Sequence, residues 1–207
     1  MKKVSVILLA ILVFASSFLM KGDFVKDTFT VSASESQVLW FAKKVTGAHN
    51  GSVTLKSGTL EFQKQTLVGG KFVIDMTSIK VLDLEADSKP NKSLTGHLKS
   101  PDFFDVEKHT TAELKINSAA KTGQKSMFGN GDEYKVKAVL TIKGISQDIE
   151  FFANASVKGK SAEAGATITF DRSKFDVRYG SETFFGSLGD KAIYNDVKME
   201  IKLKASK

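Results

Sequence analysis

The chain contains no cysteine. No disulfide can therefore staple the fold, and thiol nucleophiles and thiolate metal sites are excluded. Proline is nearly absent, with two in 207 residues. With 16 glycines besides, that composition argues against a collagen-like or disordered chain. There are one tryptophan, three tyrosines and three histidines. After residue 27 there is no long apolar run, so nothing there is written as a spanning helix. What is plentiful is phenylalanine, 16 in all, and lysine scattered along the sequence.

The one apolar run, residues 4–20, follows Lys2 and Lys3 and carries no charge. A short basic segment followed by an apolar stretch reads as an export signal, either cleaved or kept as an anchor. It is slightly short of the roughly 20 residues that a spanning helix needs. Ala15-Ser16-Ser17 offers small residues for cleavage, and no cysteine follows to take a lipid anchor. On this reading, residues 1–20 are the signal and 28–205 are one folded domain outside the cytoplasm. A chain of this length buries roughly 70% of its unfolded surface, enough for one sizeable core.

The net charge is +7, and removing Lys2 and Lys3 leaves +5. The basic residues are not gathered beside aromatic platforms, as a nucleic-acid site requires. Lys135, Lys137, Lys198, Lys202 and Lys204 alternate with apolar neighbours, which makes them the wet side of a sheet. Mild attraction to anionic membrane surfaces stays open.

Period-two alternation dominates the rest. Tyr134, Val136, Ala138, Leu140 and Ile142 share one face, as do Val197, Met199, Ile201, Leu203 and Ala205. One dry and one wet face per strand is the antiparallel pattern. Further strands are expected at 37–43, 51–55, 58–63, 70–76, 112–118, 148–157 and 164–170. Lys56-Ser57-Gly58 and Gly129-Asn130-Gly131-Asp132 read as turns between them. Residues 81–108 break the pattern, with a short helix expected from near Ser93 to just before Pro101. A second irregular stretch, 171–196, has room for another.

The expected fold is all-β. Eight or more such strands close best into an antiparallel β-barrel, which leaves no exposed edge; a two-sheet sandwich is the alternative. The dry faces carry Phe72, Ile74, Leu140, Phe151 and Phe170, but also Ala153, Ala155, Ala164 and Ala166. Bulky residues at one end and small ones at the other either leave a lumen or merely fit the taper of a packed barrel. A lumen with such walls would take an apolar ligand.

Catalytic motifs do not emerge. His49, His97 and His109 lack metal-ligand spacing, and no G-x-S-x-G elbow or phosphate-binding glycine loop is present. Asp83-Leu84-Glu85-Ala86-Asp87 opens like a calcium loop, then places Ser88 where glycine is required and Leu94 where the closing Glu belongs. No cofactor, metal or catalytic residue is expected.

Four segments carry a resemblance. They are Ser36-Gln37-Val38-Leu39-Trp40 with Lys44-Val45-Thr46-Gly47-Ala48-His49-Asn50-Gly51; His97-Leu98-Lys99-Ser100-Pro101-Asp102-Phe103-Phe104-Asp105-Val106; Leu140-Thr141-Ile142-Lys143-Gly144-Ile145-Ser146; and Asp171-Arg172-Ser173-Lys174-Phe175 followed by Gly189-Asp190-Lys191-Ala192-Ile193 and Asp196. In this order they resemble the YceI-like family of periplasmic, lipocalin-like isoprenoid-binding proteins, over roughly residues 28 to 205. One departure is His109-Thr110-Thr111, where members often have an aromatic residue followed by proline.

The resemblance implies an extended eight-stranded barrel with one or two short helices in its connections. It also implies a tunnel for a polyisoprenoid, quinone-like or fatty amphiphile, and a homodimer. Val38, Trp40, Phe103, Phe104, Phe175 and Phe185 become candidates for the pocket wall or mouth, together with Phe72, Ile74, Leu140, Phe151 and Phe170. His49, His97 and Arg172 become candidates for head-group contacts or loop bracing. The expected role is a non-catalytic lipid carrier. A solid-core stress or interaction protein, or an enzyme using His49 or His97 on such a lipid, are the alternatives.

Overall fold

A computed structural model of the chain describes residues 25–125 and 131–207. The expected export signal lies outside the described residues. The strands are β1 Asp27–Val31, β2 Gln37–Lys44, β3 Gly47–Gln63, β4 Thr66–Val81, β5 Thr111–Lys125, β6 Asp132–Ile142, β7 Ile145–Lys158, β8 Ser161–Asp171 and β9 Ile193–Ser206. From β2 onward each strand pairs antiparallel with the next, and β9 returns to β2. The result is the expected closed eight-stave barrel, in up-and-down order.

The short β1 shares the stave of β2. It pairs with the far end of β3 (Thr30↔Thr59) and the tail of β9 (Val31↔Ala205). Between β1 and β2 the chain bows out, since Gln37 already pairs with Lys202. The ladder stays satisfied there: the Ser32 N–H donates to the Lys204 carbonyl at 2.8 Å, and Ser36 Oγ accepts from the Lys204 N–H at 3.1 Å.

Alternation sorts the side chains as the sequence pattern implies. In β6, Tyr134, Val136, Ala138, Leu140 and Ile142 are buried, while Lys135 and Lys137 face water. Two expectations need correction. Lys56-Ser57-Gly58 is a bulge inside β3, not a turn: the register steps from Leu55↔Ile74 to Ser57↔Val73. Glycine is needed at 58 for close approach, because a Cβ there would stand 3.0 Å from the Phe72 ring and 3.1 Å from Val31. The first helix, α1, spans Lys89–Lys99 rather than starting near Ser93. Ser88 caps it by accepting from the Asn91 N–H, and Pro90 sits in the first turn, where an amide hydrogen is not required. The second irregular stretch holds α2, Glu182–Phe185.

The two ends of the barrel differ. At one end, called lower here, two-residue links join β3 to β4 and β7 to β8, and the interior is packed solid. Phe29 meets Phe62 edge-on at 5.5 Å, and the Tyr134 hydroxyl accepts from the Leu67 N–H at 3.3 Å. These four side chains and Leu60 are at most 1% exposed. The upper end carries α1 with its return loop and the 172–192 segment containing α2.

Candidate functional site

Above the plug, the barrel is not filled. A cavity of about 150 Å³ lies beneath the upper segments. Of the residues singled out from sequence, Val38, Trp40, Ile74, Phe103, Phe104, Leu140, Phe170 and Arg172 line it. A second chamber of about 70 Å³ lies toward the plug, walled by Phe72 and Phe151. The two adjoin, sharing Val38, Ile74, Leu114, Ile168 and Ile201. Both present only apolar surface, and an apolar space near 150 Å³ stays dry and takes a guest of about a benzene's bulk.

Each wall follows from strand geometry. Val38 and Trp40 are alternate residues of β2, Phe72 and Ile74 of β4, and Ile168 and Phe170 of β8, so each pair points to the same side. Met76, Ile79, Leu98, Ile142, Val197 and Met199 also line the upper chamber and were not foreseen as site residues. Val197 and Met199 were legible, since they lie on the dry face of the C-terminal run. Leu98 was not, because nothing in a mostly polar helix marks one leucine as a roof.

Phe175 and Phe185 do not line either chamber. Phe175 is buried behind the wall, its ring perpendicular to Phe170 at 5.6 Å. Phe185 ends α2 and is 60% exposed.

The three polar candidates have separate roles. Arg172 is 2% exposed and lines the upper chamber. It donates to the carbonyls of Val177 (2.8 Å), Ile193 (3.0 Å) and Tyr194 (3.2 Å), which ties the 172–192 segment to the start of β9. Its guanidinium lies 5.8 Å from the Phe103 ring centroid. Among the described residues no carboxylate pairs with it, and burial pulls its pKa down against the opposing charge of Asp171.

His49 does not line the cavity. Its Nδ1 is 2.8 Å from Asp83 Oδ2, while Asp83 Oδ1 accepts from the Asn50 N–H at 2.9 Å. This pins the loop leading into α1 onto β3. Burial pushes the Asp83 carboxyl up, but the bonds from Asn50 and His49 prevail and hold it below the usual range. His97 stands on α1 outside the cavity, edge-on to Phe103 at 5.1 Å and to Tyr179 at 4.3 Å.

A model of the YceI-like domain matches residues 29–205. The chain belongs to the YceI-like family. No sequence among curated proteins matches it. Solved structures do match. Burkholderia cenocepacia BcnA is 18% identical, covering 85% of this chain and 99% of its own, with a TM-score of 0.66. A polyisoprenoid binding domain from Saccharophagus degradans is 16% identical, covering 86% and 97%, with a TM-score of 0.61. A mutant of the Campylobacter jejuni YCEI protein is 19% identical, covering 76% and 81%, with a TM-score of 0.51. At these identities they share the barrel fold with this YceI-like chain. Its cavity walls are argued from its own residues.

Proposed function

We propose that this protein is a non-catalytic carrier for a long-chain isoprenoid, quinone or fatty amphiphile, bound tail-inward with its head at the upper end. The observation that carries this reading is a barrel plugged by aromatic rings at one end and hollow above them. Its walls are apolar, and a buried guanidinium stands at the upper rim. Burying each CH₂ of a tail contributes about 0.8 kcal/mol, so affinity needs no catalytic apparatus. The structural similarity to a protein described as a polyisoprenoid binding domain supports the same ligand class.

The chambers as they stand hold the bulk of only a short apolar group, so a long tail must part the upper walls. The elements there suit that movement: α1 has no buried residue and is held by capping and side-chain bonds, such as Asn91 Nδ2 to the Val81 and Leu84 carbonyls. Val45, Leu82, Tyr179, Phe184, Phe185 and Tyr194, all large and exposed, stand around the same end. Aromatic and aliphatic side chains in that position favour brief contact with a lipid surface during exchange. The basic and apolar N-terminal segment fits export to the periplasm, where such lipids border the compartment.

The test is to express the full chain with its N-terminal segment, purify it from the periplasm without detergent, and combine native mass spectrometry with organic extraction. A stoichiometric extra mass that extracts as a long-chain lipid is expected. Protein that carries no lipid and shows no affinity for prenyl compounds would refute the reading.

A further inference from the structure

The lower chamber owes its existence to a specific set of small side chains. Strands β7 and β8 point Phe151, Ala153 and Ala155, and Ile168, Ala166, Ala164 and Ala162, into the barrel in descending order. Ala155 and Ala162, each 2% exposed, are shut into the packed core and line neither chamber. Higher up, Ala153 pairs directly with Ala166, and Ala164 lies two residues below Ala166 on the same face of β8. Ala153, Ala164 and Ala166 line the 70 Å³ chamber, and Leu60 and Leu67, each 1% exposed, form its floor toward the plug. An empty apolar cavity costs stability in proportion to its volume, and a leucine at either alanine would fill this one. A chamber kept open by alanines, above a floor of fully buried side chains, suits an occupant of limited reach.

We infer that this lower chamber is a chain-length ruler: Ala153, Ala164 and Ala166 admit the end of the lipid tail, and Leu60 and Leu67 stop it. The inference rests on the lipid-binding reading and adds a selectivity to it. A tail ending in the upper chamber gains nothing from the alanines. One that reaches the lower chamber gains about fourfold in affinity per buried methylene, and one that reaches the floor gains no more.

The experiment uses the full chain and a series of prenyl alcohols of two to five isoprene units, with affinities measured by calorimetry. Wild type should show affinity rising with length and then a plateau. In Ala166→Leu and Ala153→Leu, the plateau should begin at a shorter alcohol while the affinity for the shortest is unchanged. Thermal melts confirm that each variant is folded, and Ala166→Val serves if the leucine prevents folding. A plateau at the same length in folded variants and wild type would overturn the ruler while leaving lipid binding intact. Failure of wild type to bind any of these alcohols or a prenyl quinone would overturn both.

Discussion

The indole of Trp40 lies against the bare backbone of Gly51 on the paired strand, so close that a Cβ on Gly51 would overlap both the ring and the Lys80 carbonyl oxygen. The only tryptophan of the chain is therefore seated by a missing side chain. Its position in the upper cavity wall depends on β2, β3 and β4 meeting at that point.

Gly51→Ala should accordingly destabilise the barrel. The added methyl meets a backbone oxygen of β4, which cannot swing aside as a flexible side chain would. Overpacking of this kind costs about 1–3 kcal/mol, and the rigid neighbour places this site at the upper part of that range. A urea titration followed by Trp40 fluorescence reads the loss. A midpoint equal to wild type would show that the ring and strand shift freely.

Arg172 supports a different prediction. Its guanidinium satisfies three carbonyls, that of Val177 within the 172–192 segment and those of Ile193 and Tyr194 at the start of β9. Arg172→Met keeps much of the apolar bulk and strands those acceptors, at about 1–3 kcal/mol for each left without a partner. Arg172→Lys should recover only part of the loss, because an ammonium lacks the planar fork that reaches all three. Differential scanning calorimetry should rank wild type above Lys and Lys above Met. Hydrogen exchange should quicken mainly across 172–193.

The barrel was legible because each strand repeats apolar and polar residues with period two, as in the run from Val197 to Ala205. Closure and the hollow centre were less so. Ala155 and Ala162 are shut into the core while Ala153, Ala164 and Ala166 line the lower chamber, and only three-dimensional register distinguishes the two sets. The bulge at Ser57 was read as a turn because a glycine beside a serine and a lysine writes both. The start of α1 was displaced because Ser93 is a cap candidate as good by residue type as Ser88, which caps the helix with Pro90 in its first turn. Phe175 was named for the wall from the family resemblance, yet it lines neither chamber and packs edge-on against Phe170.

The Asp83 carboxylate predicts an acid sensitivity at the upper end. Hydrogen bonds from Asn50 and His49 hold its pKa below that of an unfolded aspartate. Its contribution is thus complete above the unfolded value of about 4 and is lost as pH falls through the lower folded value. Asp75, held down first by the Thr77 hydroxyl, acts in the same direction. Asp83→Asn should weaken the loop before α1 at neutral pH and flatten the acid limb of the stability curve. Unfolding midpoints from pH 6 to 3 test this; parallel curves for wild type and variant would dismiss the role.

The passage into the cavity offers the last prediction. His97 on α1 stands edge-on between Phe103 and Tyr179, so an aromatic clasp joins α1 and its return loop to the 172–192 segment across the upper end. Tyr179 is 46% exposed and lines neither chamber. If the ligand passes between these two segments, the clasp must open at each exchange. An edge-to-face pair contributes about 0.5–1.5 kcal/mol, so Tyr179→Ala should speed loading and release together by up to about tenfold. Equilibrium affinity should hardly change, because no cavity wall is removed. The absence of cysteine allows His97 and Tyr179 to be replaced by a cysteine pair and joined with a short thiol crosslinker, which should slow exchange. Stopped-flow displacement, read through Trp40, measures both effects. Unchanged rates in the alanine variant and the crosslinked pair would place the entrance elsewhere on the barrel.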